Sequence, residues 1–174
     1  MKVLILPGIG NSDVDHWQSH WEKLNKNYTR VNQLNWDHPD CSEWCASLEE
    51  SVRSSGPNTI LVAHSLGGLL VAHWAAKTHL RINAAMLVAV PDPNAPIFPS
   101  QAIGFKEPPM KPLPFKSIVV ASINDPYSNI KYSEECASIW GSDIVNIGEA
   151  GHINSASGLG SWSEGHTILQ KLMD

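Results

Sequence analysis

The sequence predicts an α/β fold, in which a parallel sheet of about six strands has helices on both faces. Short apolar runs alternate with longer helical segments along the 174 residues, and this alternation is typical of parallel strands joined by helical crossovers. Right-handed crossovers with the expected strand order 2-1-3-4-5-6 would place the first and third strands side by side. Open sheets bind their ligands where the strand order reverses in this way.

The six expected strands follow from apolar runs and from the alternation itself. They are predicted, in chain order, at residues 2–6, 29–34, 58–63, 84–90, 117–122 and 143–147. The first run ends at Pro7 and Gly8, and Pro126 stops any continuation of the fifth. The third run is apolar and rich in β-branched residues, and the fifth has the pattern of a fully buried strand.

Five helices are expected between and after these strands. They are predicted, in chain order, at residues 14–25, 42–54, 67–79, 129–139 and 163–173. Trp17 and Trp21 share one face of the first helix, which predicts a buried stripe. All these elements are expected to form a single domain, residues 1–174, because a chain of this length buries roughly 70% of its unfolded surface.

Composition and charge argue against several classes of partner. The net charge is -5 and the basic residues form no cluster, which disfavours nucleic acid and anionic membranes. The first apolar run is shorter than the ~7–15 residues of a secretory signal, and no stretch approaches the ~20 residues of a membrane span. Cys41, Cys45 and Cys136 form neither an even disulfide set nor a zinc-ligand spacing. A cytoplasmic protein with reduced thiols is therefore expected.

Ser65 is the candidate nucleophile. It follows the third apolar run in a small-x-Ser-x-Gly sequence and precedes an apolar helical segment, which is the arrangement of a nucleophile elbow. Such a turn holds the serine on a strained backbone and lifts its hydroxyl clear of the sheet. Small residues are needed two positions before and after the serine, because strand and helix nearly touch there. Gly67 meets this demand, whereas Ala63 replaces the usual first glycine.

Asp125 and His152 are the candidate acid and base. Each follows a predicted strand, in the chain order serine, acid, histidine that this kind of site requires. The imidazole would take the serine proton, and the carboxylate would fix the imidazole tautomer and stabilise its charged form. Asp92, at the exit of the fourth strand, is the alternative acid, because some sites of this kind take theirs from that position.

Two backbone N–H groups are expected to form an oxyanion hole. One is that of Leu66, directly after the candidate nucleophile, and the other is that of Ile9, in the glycine-rich loop after the first strand. Gly8 and Gly10 on either side of Ile9 would let the backbone approach a substrate closely.

Several stretches of the chain form a recognisable set. They are Pro7-Gly8, His16-Trp17-Gln18 with Trp21, the turn around Ser65, residues 121–127, and Gly151-His152-Ile153-Asn154 with residues 157–162. Through this set the chain resembles, nearly end to end, the retinoblastoma-binding protein 9 family of small serine hydrolases. The resemblance implies a compact α/β-hydrolase fold without a cap domain. It also implies a triad of Ser65, Asp125 and His152 that hydrolyses small carboxylic esters.

The function expected from the residues and the resemblance together is that of a cofactor-free serine hydrolase acting through an acyl-enzyme intermediate. A peptidase, an amidase or a thioesterase would use the same triad, and a protein-binding module would retain the fold without catalysis. The expected partner is a small ester or amide substrate. A protein partner is unknown, because Pro39 occupies the leucine position of the family's Leu-x-Cys-x-Glu interaction motif.

Residues 91–114 hold eight of the twelve prolines. Proline removes a backbone N–H and blocks helix continuation, so a helical lid is not expected here. We expect either a short apolar rim around a shallow, water-open site that favours small acyl groups, or a plain surface connection.

Three further histidines need an interpretation. His16 and His20 are four residues apart on a predicted helix, as in some metal sites, but no glutamate follows His16 and no third ligand is evident. No metal is therefore expected. His64 precedes the candidate nucleophile, and alternation along the strand is expected to turn its side chain away from the face of Ser65.

Overall fold

The computed structural model describes residues 1–173, so Asp174, the last residue of the expected domain, lies outside the described residues. The centre of the fold is a parallel sheet in the order β2-β1-β3-β4-β5-β6. The strands are β1 Lys2–Leu6, β2 Tyr28–Arg30, β3 Thr59–His64, β4 Ala84–Val88, β5 Lys116–Ala121 and β6 Asp143–Asn146. The predicted fold class and strand order are confirmed.

Five α-helices lie between the strands and after the last one in the described part of the chain. They are α1 Trp17–Leu24, α2 Cys41–Ser55, α3 Leu66–Ala75, α4 Ile130–Trp140 and α5 Ser163–Gln170. Across residues 1–173, none of the helices combines the length and the apolar character that crossing a membrane requires.

Some predicted element boundaries are wrong, each for a local reason. Helix α1 begins at Trp17 rather than at residue 14, because His16 is extended and its side chain caps the helix by accepting from the Gln18 N–H at 3.1 Å. Strand β2 is shorter than predicted, since only three of its residues pair with β1. Strand β4 ends at Val88 because Ala89 has a φ of 52°, which breaks the extended conformation.

Two apolar layers enclose the sheet, as the period of two along each strand requires. Leu61 and Ala63 of β3 face the layer built on α2, α3 and α4, whereas Ile60 and Val62 face the layer under α1 and α5. Tryptophans fill both layers: Trp44, Trp74 and Trp140 in the first, and Trp17, Trp21 and Trp162 in the second. The central strands β3 and β4 are buried along their whole length, so a site must lie at an end of the sheet.

Residues 91–114 contain no helix or strand. Phe98 and Phe105 are nevertheless buried in the first layer, and the Phe105 ring meets Trp44 of α2 edge to face at 5.6 Å between centroids. Pro91 and Pro99 reach the cleft that is described below. The segment therefore covers part of the core and also forms part of the cleft rim, which a plain surface connection would not do.

Candidate active site

Ser65 lies in a strained turn between β3 and α3. Its φ of 54° and ψ of -124° are rare for a residue with a side chain and occur where the surrounding structure holds a functional group in place. The turn is tight, because a Cβ on Gly67 would stand 2.5 Å from the Leu6 carbonyl oxygen. Ala63, in contrast, is fully buried beside β1, so the fold accommodates the methyl group that replaces the usual glycine.

The structure brings Ser65, His152 and Asp125 into one hydrogen-bonded row. His152 Nε2 is 2.8 Å from Ser65 Oγ, and His152 Nδ1 is 2.9 Å from both carboxylate oxygens of Asp125. The side chains of His152 and Asp125 are only 10% and 3% exposed, so water competes little for these bonds. A tautomer with its proton on Nδ1 satisfies both sides: Nδ1–H donates to Asp125, and Nε2 accepts from the Ser65 hydroxyl.

Asp125 is held towards His152 by its own loop, because Oδ1 also accepts from the Tyr127 N–H at 2.9 Å. The alternative acid, Asp92, is turned elsewhere. Its carboxylate accepts from the Asn94 N–H of its own loop at 2.8 Å, and it makes no bond to His152. The geometry therefore favours Asp125 over Asp92 as the partner of the imidazole.

The loop after β5 is joined to the loop that holds His152. Asn124 Oδ1 accepts from the Gly151 N–H at 2.7 Å and from Ser122 Oγ at 2.8 Å, and Ser122 Oγ in turn accepts from the Ala150 N–H at 2.9 Å. One polar network thus links the loop that carries Asp125 to the loop that carries His152. Neither Ser122 nor Asn124 has a role that local sequence predicts, although both belong to the stretch 121–127 that carries the family resemblance.

The carbonyl groups of the loop that carries His152 bind two side chains from elsewhere in the chain. Trp17 Nε1–H donates to the Ile153 carbonyl at 2.8 Å, and His64 Nε2 lies 2.9 Å from the His152 carbonyl oxygen. The His64 and His152 rings are 5.0 Å apart between centroids. Alternation along β3 predicts that His64 turns away from the face of Ser65, but it does not predict this contact, which arises because the loop after β6 folds back over the end of β3.

Ile9 and Leu66, the expected oxyanion-hole residues, both line the same cleft as Ser65. Within residues 1–173, neither backbone N–H has a backbone acceptor, so both are available to a ligand. A Cβ on Gly8 would stand 2.9 Å from Ser65 Cβ and 3.3 Å from Ser65 Oγ. Glycine is therefore needed at this position for the loop to pass so close to the hydroxyl.

A cleft of about 420 Å³ opens over Ser65 at the carboxyl end of the sheet. Its apolar lining residues are Ile9, Leu66, Pro91, Pro99, Tyr127 and Ala156. Its polar lining residues outside the hydrogen-bonded row are Asn11, Asp13, His16, His64, Asn154 and Ser155. The loops after β1 and after His152 are joined across this polar part, because Ser155 Oγ donates to the Asp13 carboxylate at 2.7 Å.

His16 serves as the N-cap of helix α1. His16 Nδ1 is occupied by the Gln18 N–H, and burial lowers the pKa of His16 to about 4. Among residues 1–173, no group of three or more His, Cys, Asp or Glu side chains is arranged to hold a metal ion.

The sheet order, the helices on both faces and the strained serine turn together define an α/β-hydrolase fold. The chain belongs to the serine hydrolase family, whose model matches residues 3–171. No curated protein matches the chain significantly in sequence.

Solved structures agree with this assignment. A YdeN-like hydrolase from Pectobacterium atrosepticum is 30% identical, with a TM-score of 0.87 over 99% of this chain and 90% of that one. The ydeN gene product from B. subtilis is 21% identical, with a TM-score of 0.84 over 98% of this chain and 97% of that one. Est1E from Butyrivibrio proteoclasticus, with ferulic acid bound, is 15% identical, with a TM-score of 0.71 over 99% and 89%. The B. subtilis protein and Est1E show that the fold is shared. The family match and the YdeN-like hydrolase from Pectobacterium atrosepticum support hydrolase activity.

Proposed function

We propose that the protein is a serine hydrolase that cleaves small carboxylic esters through an acyl-enzyme intermediate. The observation that supports this most directly is the row formed by Ser65 Oγ, His152 and Asp125, with spacings of 2.8 and 2.9 Å. A serine hydroxyl is hardly ionised at neutral pH, so it needs an adjacent imidazole to take its proton. The imidazole needs a carboxylate on its other nitrogen to hold the useful tautomer.

In the first step, Ser65 Oγ attacks the ester carbonyl carbon while His152 Nε2 takes the hydroxyl proton. The carbonyl oxygen becomes negative and accepts hydrogen bonds from the N–H groups of Ile9 and Leu66. The carbon–oxygen bond to the alcohol then breaks, and His152 gives its proton to the leaving oxygen. Asp125 stabilises the imidazolium between these two events. A water molecule then attacks the acyl carbon while His152 Nε2 takes its proton. The bond from that carbon to Ser65 Oγ breaks, Oγ regains a proton from His152, and the carboxylic acid is released.

The size and lining of the cleft favour a small acyl group. Its volume of about 420 Å³ lies towards the low end of the range of roughly 300–1,000 Å³ for ligand pockets. Residues 91–114 place prolines at its rim and no helix over it. A short hydrocarbon chain would contact Pro91, Pro99 and Leu66, whereas a long chain would extend into water.

Two narrower assignments belong to this proposal. The first is membership of the retinoblastoma-binding protein 9 branch, which rests on the resemblance of the stretches at 121–127 and 151–154. In the structure, the Ser122 and Asn124 side chains accept from the backbone N–H groups of Ala150 and Gly151. The second is action in the cytoplasm on a small-molecule substrate. The cysteines, all three of which lie in the described part of the chain, are free, as is usual in a reducing compartment.

Hydrolysis of p-nitrophenyl esters of increasing acyl length tests the proposal. The wild type should turn over the acetate and butyrate fastest and the long-chain esters slowest, and Ser65→Ala should turn over none of them. Equal rates from the two proteins, or no turnover of any ester, would contradict an esterase. An amide substrate, a thioester or a binding role would then be tested in its place.

Asn124→Ala is expected to lower kcat for a short ester by about 10- to 100-fold, because misplacing a catalytic group by about 1 Å can cost roughly 100-fold. The substitution removes the acceptor of the Gly151 N–H, next to the candidate base. The free energy of unfolding should fall by about 1–2 kcal/mol, because Asn124 Oδ1 accepts two hydrogen bonds, each worth about 1 kcal/mol. Steady-state kinetics and urea unfolding measure the two effects.

Asn129→Ala is the matched control for that variant. Asn129 Oδ1 caps α4 by accepting from the Tyr132 N–H at 2.9 Å, and loss of a cap costs about 0.5–2 kcal/mol. The control should therefore lose similar stability with unchanged kcat. If both variants lost activity equally, the Asn124 bond would have no special part in positioning the base.

A further inference from the structure

The His64 imidazole lies directly under the residue that supplies the candidate base. His64 is the last residue of β3, next in the chain to Ser65, and it is 6% exposed. Its Nε2 is 2.9 Å from the His152 carbonyl oxygen, although the two residues are 88 positions apart in sequence. One side chain thus connects the backbone that holds the hydroxyl to the backbone that holds the imidazole.

The surroundings of His64 determine its protonation. A carbonyl oxygen only accepts, so Nε2 must be the protonated nitrogen that donates to His152. Burial lowers the pKa of His64 well below its ordinary value. Positive charge on the neighbouring His152 and His16 rings lowers the pKa of His64 further. His16 packs edge-on against His64 at 4.7 Å between ring centroids. Trp17 completes the enclosure at 6.2 Å. His64 is therefore a neutral, fixed donor.

The loop above His64 needs such a support. Gly151 and Ile153, the two neighbours of His152, have φ values of 57° and 49°, and the value at Ile153 is costly for a β-branched residue. A backbone in these conformations persists only where its surroundings hold it. Trp17 holds the Ile153 carbonyl, and His64 holds the carbonyl of His152 itself.

We propose that His64 is a positioning residue for the reaction: its Nε2–H bond to the His152 carbonyl keeps His152 Nε2 within hydrogen-bond distance of Ser65 Oγ. The proposal rests on the proposed function, since it assigns the support of the same base. His64 acts through the backbone of His152, so it should affect turnover and not substrate affinity.

Three substitutions of His64 test this role. His64→Phe retains a ring and removes the donor, whereas His64→Gln places an amide N–H near the original Nε2. We expect His64→Phe to lower kcat for a short ester by about 10- to 100-fold, with KM within about twofold of the wild type. His64→Gln should recover most of the lost kcat. If phenylalanine does not fit and the variant does not fold, His64→Met removes the same donor with a flexible side chain.

Rates are expressed per folded molecule, so that a loss of stability alone does not lower them. A kcat that is unchanged without the donor, or a His64→Gln variant as slow as His64→Phe, would overturn the proposal. A rise in KM with unchanged kcat would also overturn it, because His64 would then act on the substrate.

A second readout does not need turnover. The proton on His152 Nδ1, bonded to the buried Asp125, should give an exchange-protected downfield NMR signal in the wild type and in His64→Gln, and a broadened or absent one in His64→Phe. An undisturbed signal in His64→Phe would contradict the positioning role. If the wild type shows this signal but no Ser65-dependent turnover of any ester, the proposed function fails. The comparison of the signal between the wild type and His64→Phe then still tests whether His64 positions His152.

Discussion

Replacing Ser65 by alanine is expected to lower kcat for a short ester on the order of 10⁶-fold, as removal of the nucleophile does in a serine protease. The substitution removes the oxygen that is proposed to form the acyl-enzyme, and His152 Nε2 loses its hydroxyl partner. The free energy of unfolding should change by about 1 kcal/mol or less, because Oγ makes a single hydrogen bond within residues 1–173. Ester kinetics and urea unfolding measure the two quantities.

Ser117→Ala is the matched control for this experiment. It removes the same hydroxyl group from a buried serine at the other end of the sheet, where Ser117 Oγ is 2.6 Å from Ser142 Oγ. Activity should be retained there, and the stability loss should be at least as large as in Ser65→Ala. Ester turnover by Ser65→Ala at more than a trace of the wild-type rate would contradict the assignment of the nucleophile.

Replacing Asp125 by asparagine is expected to lower kcat by about 10⁴-fold, the effect of the same change in a serine protease triad. Asp125 Oδ1 accepts from the Tyr127 N–H, so the asparagine would keep its carbonyl oxygen there and direct its NH₂ group at His152 Nδ1. Nδ1 would then have to accept, and the proton would move to Nε2. An Nε2–H cannot take the Ser65 proton, although the positions of the atoms scarcely change.

Asp92→Asn distinguishes Asp125 from the alternative acid. Since the Asp92 side chain accepts from its own loop and makes no bond to His152, that variant should retain the wild-type kcat. A large loss in Asp92→Asn together with a small loss in Asp125→Asn would assign the acid to the loop after β4. Steady-state kinetics of the two variants on one ester is sufficient for the decision.

Much of the fold was predictable, because few topologies satisfy alternating strands and helices with right-handed crossovers. The strand order and the three residues of the candidate site follow from this, since each of the three follows a strand at the same edge of the sheet. Element ends were less predictable. The start of α1 depends on the cap that His16 provides, and the end of β4 depends on the positive φ of Ala89.

The supports of the site could not be predicted for a different reason. Asn124 and Gly151 are 27 residues apart, and His64 and His152 are 88 residues apart. Their bonds exist only after two loops meet above the sheet, and nothing local in the sequence specifies that meeting. The alternation of side chains along β3 was applied correctly to His64, but it does not reveal that the loop after β6 crosses the face to which His64 turns.

The central claim is that Ser65 is a nucleophile activated by His152. Its most direct test is the reaction of the folded protein with a serine-directed fluorophosphonate, followed by mass spectrometry of the intact chain and of its peptides. We predict one adduct per chain, located on Ser65, and no adduct on His152→Ala in the same time. A folded wild type that remains unlabelled, or one that is labelled at another serine, would contradict the claim.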